Sequence, residues 1–294
     1  MVDLGSLAPT VIGCDTTYLG PSVANAINAD GDVVGQYQYH CDNSSRAFFY
    51  SSEDGSFSRL ARLSGFGFDS SAVDLNKDHA LVGWHTTDGS FGGARAVVWR
   101  DLGTADEFGQ LGTITDIGLL GIPPGWSPTS NATSARALDI NPRGDVVGRS
   151  ITVDETVHGF LHRDGVMTDL GVPAPFTDSA AVAIAESGVI ALNASLPDGA
   201  SAAYIGRPGD FTSIGSLGGS KTVASDISAR GLVVGWATTA GAEETHALAY
   251  VGGEARDLGP GRALGVNTAG TSSERLHCSL PCRFCTTRPT ARSS

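Results

Sequence analysis

The stretch Ile27-Asn28-Ala29-Asp30-Gly31-Asp32-Val33-Val34-Gly35 (INADGDVVG) decides the fold. It returns as INPRGDVVG at 140–148 and as ISARGLVVG at 227–235. Val33-Val34, Leu81-Val82, Val146-Val147 and Val233-Val234 are β-branched or apolar pairs that suit a buried pleated surface. The preceding Gly31, Gly144, Gly188 and Gly231 supply the positive φ of a tight turn, so the phrase is a β-hairpin. One looser copy carries His79 at the glycine position, and histidine visits the left-handed region more readily than most residues.

Working outward, alignment on Asn28 brings Asn76, Asn141, Ala185, Ser228 and Asn267 into register at spacings of 48, 65, 44, 43 and 39. Four residues earlier stands alanine each time: Ala24, Ala72, Ala137, Ala181, Ala224 and Ala263. One residue earlier stands a branched aliphatic: Ile27, Leu75, Ile140, Ile184, Ile227 or Val266. That is an internal repeat, and it sets the architecture. A third apolar segment follows each hairpin, namely RAFFY at 46–50, RAVVW at 95–99, HGFLH at 158–162, SAAYI at 201–205 and HALAY at 246–250. A fourth comes after a turn: FSRLA at 57–61, ITDIG at 114–118, MTDLG at 167–171, FTSIG at 211–215 and ARDLG at 255–259. Each unit therefore holds four short strands, with no stretch of helical periodicity.

Repeated four-stranded units of this length are the blades of a β-propeller, a design that leaves only short protected sheet edges. The expected fold is all-β, a six-bladed propeller over 1–271, with five or seven blades as the alternative. The count rests on the ends. The fourth-strand motif also occurs as VDLG at 2–5, whereas ALGVN at 263–267 is a first strand with no fourth strand behind it. The N-terminal segment is expected to complete the last blade. After Gly270 the expected VVG strand gives way to a Ser-, Thr-, Arg- and Cys-rich tail over 272–294, read as disordered and as the product of a shifted reading frame. Unit two is longer than the others because of TADEFGQLG at 104–112 and GIPPGWSPTSN at 121–131, read as a surface loop.

A hydrophobic fraction of 41% over 294 residues is enough for a real core. Thirty-one acidic against 19 basic side chains give a net charge of −12, which repels phosphate backbones and excludes nucleic acid as a partner. No run approaches the roughly 18 apolar residues of a membrane span, and a monomer is expected. MVDLGSLAPT at 1–10 lacks the basic start and apolar segment of a secretory signal; if Met1 is the native start, a cytoplasmic location follows. The five cysteines, Cys14, Cys41, Cys278, Cys282 and Cys285, are an odd number and argue against a disulfide framework.

The combined pattern resembles the bacterial HAF-repeat family, named for a His-Ala-Phe motif in a unit with an INxxGxVVG hairpin and a DLGxLGG end. Here the motif stands as RAF at 46–48, HGF at 158–160 and HAL at 246–248, and the unit ends as SIGSLGG at 213–219 and DIGLLG at 116–121. The likeness covers roughly residues 1–270. It implies a propeller-like fold and an extracellular location, with no activity attached. The fourth unit departs most, with Leu192 in place of the VVG glycine and Ser201 in place of the His.

CSLPCRFC at 278–285 resembles the cluster-binding motif of radical S-adenosylmethionine enzymes, and His277 could add a fourth ligand for zinc. The chain ends nine residues later, which leaves no barrel for a cosubstrate, so no cofactor is expected. Asp74, Asp139 and Asp226 share one offset and either line a channel for a cation or accept hydrogen bonds from their own turns. Arg46, Arg95, His158 and His246 share another, and their recurrence points to a structural brace. The loops joining strands two and three vary most. Around them stand Tyr37, Tyr39, His40, Trp84, His85, Arg149 and Trp236, residue types that make protein hot spots or sugar-stacking platforms. No GxSxG, HExxH, P-loop or Rossmann pattern nominates a nucleophile or a phosphate cradle. The expected function is non-catalytic binding of a protein or glycan through this face. The alternative is a glycan hydrolase or lyase using Asp42, Asp88 or Asp154 beside His40 or His85.

Overall fold

A computed structural model describes residues 21–39, 43–63, 69–86, 93–103, 105–106, 109–125, 134–241 and 244–267. The VDLG segment, His40, Asp42, Asp88 and the cysteine-rich tail lie outside these residues. Among the described residues the chain is all-β with no helix, and hence with no helix long and apolar enough to cross a membrane. It divides into two compact units, Met1–Gly171 and Val172–Ser294.

The first unit holds three sheets. One runs β1 (Ser22–Ile27), β2 (Val33–Tyr39), β3 (Ser44–Tyr50), β4 (Phe57–Leu60), with β8 (Gln110–Leu111) added in parallel at its edge. The second runs β5 (Ser70–Leu75), β6 (Leu81–Thr86), β7 (Ala94–Arg100), β9 (Thr113–Asp116). The third runs β10 (Ala135–Ile140), β11 (Val146–Ile151), β12 (Val157–Arg163), β13 (Val166–Asp169). In the second unit β14 (Asp178–Ile184), β15 (Ile190–Ser195), β16 (Ser201–Arg207) and β17 (Asp210–Ser213) form one antiparallel run. A second comprises β18 (Gly218–Ile227), β19 (Val233–Thr239), β20 (Thr245–Val251) and β21 (Glu254–Pro260), and strand pairing joins the two at one parallel position, Ser201 with Lys221.

The repeat residues explain the hairpins. Asn28 Oδ1 accepts the N–H of Asp30 and Asp32 at 3.0 and 2.9 Å; Asn76 and Asn141 hold Asp78 and Ala80, Arg143 and Asp145 in the same way. An amide side chain thus shapes these three turns, and the Ser228 hydroxyl shapes its own by accepting the Leu232 N–H at 3.1 Å. His79 takes the turn's positive φ at 54°, against 81–94° for Gly31, Gly144, Gly188 and Gly231.

Close approach accounts for the VVG glycine. It pairs with the repeat alanine, as Gly83 does with Ala72 and Gly148 with Ala137, and a bulge follows that alanine at once. Any side chain on Gly35, Gly83, Gly148 or Gly235 would run into the carbonyl of Val23, Ser71, Arg136 or Val223. Phe48 and Phe160 then close over Gly35 and Gly148, which is what the last letter of the RAF and HGF motifs does. In the fourth copy Leu192 stands opposite Ala181, itself fully buried.

The core lies between sheets. Val34, Phe49, Leu75, Leu81 and Trp99 join the first two, and the Trp99 indole N–H donates to the Ala61 carbonyl at 2.7 Å. Val82, Val98, Ile140, Val146 and Phe160 join the second and third. In the second unit Ala191, Ile214, Val233 and Leu248 belong to one cluster.

Two expectations need correction. TADEFGQLG is not all loop, because Gln110 and Leu111 pair in parallel with Arg59 and Leu60 and Leu111 is buried in the core. The last first strand is reduced to local contacts: the Ala263 N–H donates to the Gly235 carbonyl at 3.1 Å, and no named strand covers 263–267. Of GIPPGWSPTSN, 121–125 form no strand and the rest lies outside the described residues.

Candidate functional site

Successive residues of a strand point to opposite faces, so Trp84 and His85 cannot serve one site. His85 is 0% exposed; its Nδ1 lies 2.9 Å from the Thr86 carbonyl, its Nε2 has no partner, and burial holds its pKa below the usual value. Tyr37 is also core, at 8% exposure, and burial raises its hydroxyl pKa. Both leave the expected binding face. Tyr39 stays half-buried beneath guanidinium groups, Arg46 at 3.9 Å and Arg59 at 5.8 Å from the ring centre.

Trp84 and Arg149 are brought together by a residue that the loop reading passed over. Arg136 on β10 lays its guanidinium 4.4 Å from the Trp84 ring centre, and its Cα partner across the sheet is Arg149 on β11. Arg136 is half-buried and Arg149 exposed. Burial first, then the charge of Arg149, lowers the pKa of Arg136. Neither arginine has an ion-pair partner among the described residues. In the second unit Trp236 repeats the stack with Arg262 at 4.2 Å. The sequence did carry the signal. Trp84 and Trp236 both follow the VG glycine, and in each case arginine precedes the next repeat alanine, Ala137 or Ala263.

The recurring Arg and His side chains are braces. Arg95 Nε donates to Asp116 at 2.8 Å, while His158 Nδ1 and His246 Nδ1 lie 2.9 and 2.8 Å from Asp169 and Asp257. Each of these carboxylates also accepts the N–H of the glycine two residues on, Gly118, Gly171 or Gly259. So the third-strand Arg or His grips the Asp that shapes the DLG or DIG turn. In the fourth copy both partners change together. Ser213 Oγ accepts the Gly215 N–H at 3.1 Å, and Ser201 replaces the histidine. Arg46 has no such Asp on β4; its Nε donates to Ser44 Oγ at 3.0 Å.

Asp74, Asp139 and Asp226 neither shape their own turns, which the anchor residues do, nor stand apart as cation ligands. Asp74 and Asp226 accept the N–H of Ile140 and Val266, the equivalent residue one repeat on, at 3.1 and 2.7 Å. Asp139 accepts the N–H of its neighbour Ile140 at 2.8 Å. Burial pushes Asp74 up, and its carboxyl hydrogen-bonds to Asp139, so the pair shares a proton more readily than it carries two charges.

Metal-ligand types converge once among the described residues, where Asp30, Asp32 and His79 bring ligand atoms within 4.8 Å of one another. His79 Nε2 pairs with Asp32 Oδ2 at 3.0 Å, and Asp32 also accepts from Ser52 and Asn28. Burial opposes the Asp32 charge, but these donors and His79 outweigh it and keep its pKa low. His79 further lines an open depression of 590 Å³ with Asp78, Asp101, Leu102 and Gly103. Asp154 is exposed in the turn after β11, with its N–H on Thr152 Oγ1 at 3.3 Å.

No family model matches this sequence. No curated protein matches it either. Solved structures do. Puromycin hydrolase, as an S511A mutant complexed with PGG, is 13% identical with a TM-score of 0.51 over 82% of this chain and 39% of its own. Pyrococcus horikoshii acylaminoacyl peptidase is 14% identical with a TM-score of 0.50 over 85% and 40%. The β-propeller domain of the Trilobed protease from Pyrococcus furiosus gives 14% and 0.47 over 84% and 74%. This chain spans about two-fifths of the first two, and the likeness is one of fold alone.

Proposed function

We propose that the chain is a non-catalytic scaffold of the propeller kind. Six four-stranded units close into a ring through the VDLG segment, and the face bearing the strand 2–3 loops binds a protein or glycan. HAF-repeat membership and an extracellular location belong to the same proposal. The observation that carries it is the repeated Trp–Arg stack, Trp84 with Arg136 and Trp236 with Arg262, which sets partly exposed aromatic and guanidinium groups at one register of two different repeats. Tryptophan and arginine are the side chains that most often dominate binding energy. The hydrolase or lyase reading loses His85 to the core, while His158 and His246 are engaged by Asp169 and Asp257. The start of a sixth unit at 263–267 is supported by Ala263, which is fully buried, and by Val266, which meets Asp226 as Ile140 meets Asp74.

The test is partner capture combined with a glycan array, using Trp84→Ala and Trp236→Ala as controls. Loss of binding in either variant supports the reading, and full binding in both removes this face from consideration.

A further inference from the structure

Two like charges directly opposite each other on a sheet destabilise it, and the cost stays unless something neutralises them. Arg136 and Arg149 are Cα partners on β10 and β11, one half-buried and the other exposed. No ion-pair partner stands beside either among the described residues. The chain as a whole carries −12, so carboxylates are plentiful for closing charges elsewhere. Asp145, nearby on the same hairpin, shows what closure looks like. Arg163 grips it with two bonds of 2.7 and 2.9 Å, Arg143 adds a third at 3.2 Å, and its pKa falls to about 2. At Arg136 and Arg149 the pattern is inverted: two cations are assembled, and no carboxylate among the described residues pairs with either.

The stack decides which anion fits. With its guanidinium over Trp84, Arg136 is held in place by the ring, and a guanidinium fork fixed in this way suits bidentate contact with a planar carboxylate. That same guanidinium covers a face of the indole, the surface a sugar ring would need for stacking. Desolvated arginine on an aromatic anchor is the chemistry of a protein interface.

Resting on the binding reading above, we propose that Trp84, Arg136 and Arg149 form the docking point for a carboxylate in an acidic peptide segment of a partner protein. Arg136 is the fixed half of the clamp and exposed Arg149 the approaching half. Attraction between this pair and an acidic segment weakens as salt rises.

Fluorescence anisotropy on the full chain tests this with two probes, a labelled Glu-Gly repeat peptide and a labelled oligogalacturonate of matched length. The expected result is that the peptide binds in preference to the glycan, that Arg149→Gln weakens it about tenfold or more, and that Arg149→Lys weakens it less. Arg149 is exposed, so its variants fold. Peptide binding unchanged in both Arg149→Gln and Arg136→Gln overturns the proposal, as does failure of the peptide to bind the unaltered chain. Preference for oligogalacturonate, or binding lost in Trp236→Ala but not in Arg149→Gln, overturns the acidic-peptide assignment and leaves the binding face standing.

Discussion

On the third sheet, two pairs of polar side chains a strand apart are treated in opposite ways. His158 on β12 and Asp169 on β13 meet at 2.9 Å and close the turn that ends their unit. Arg136 and Arg149, on β10 and β11, face each other with like charge. The first pair has counterparts at Arg95–Asp116 and His246–Asp257, as a structural element should when several units need it. Among the described hairpins the facing arginines have no counterpart: the same positions hold Val23 and Gln36, Ser71 and Trp84, Ala180 and Asn193, and Val223 and Trp236. A repeat protein separates the two roles in this way: what the scaffold needs recurs from unit to unit, and what the molecule uses once does not.

The comparison can be broken first at the shared core. Phe160, fully buried above Gly148, anchors both halves of the sheet, and Phe160→Ala should cost about 3–5 kcal/mol in denaturant unfolding. A smaller loss would mean that the sheet does not depend on this ring. Next comes Asp145, whose carboxylate the two arginines Arg163 and Arg143 close. Its folded pKa of about 2 lies below the ordinary 3.8, so its contribution is complete above that value and fades as pH falls through about 2. Asp145→Asn should cost about 1–2 kcal/mol at neutral pH, discounted for the exposed side of Arg163, and the gap should close in acid. An equal gap at pH 7 and at pH 2 would contradict this. Asp169→Ala, on a carboxylate 46% exposed, should cost about 1 kcal/mol, and the thermal midpoint should fall with it.

Much of the fold is legible in the sequence because each repeat residue has one local job. Asn28 and Asn141 hold a turn, Gly35 and Gly148 admit a carbonyl, and Val33 and Val34 fill the two opposite faces of their strand. None of these needs knowledge of another unit. The site is legible only in part for the opposite reason. Trp84 and Arg149 stand out by residue type, but the contact that joins them comes from Arg136, on the next repeat's first strand. His85 was misread because it adjoins Trp84 in sequence, although pleating turns it into the core. Gln110 and Leu111 hid in a stretch without alternation, since two residues paired at a sheet edge leave no period to detect.

The central claim is that Arg149 serves binding and not the fold, and thermal unfolding of Arg149→Gln beside its peptide titration tests it most directly. The account predicts a midpoint unchanged or raised by the equivalent of about 0.2–0.5 kcal/mol as like-charge repulsion is relieved, together with lost binding. A midpoint that falls as it does in Asp169→Ala, with binding intact, would make Arg149 one more brace and contradict it.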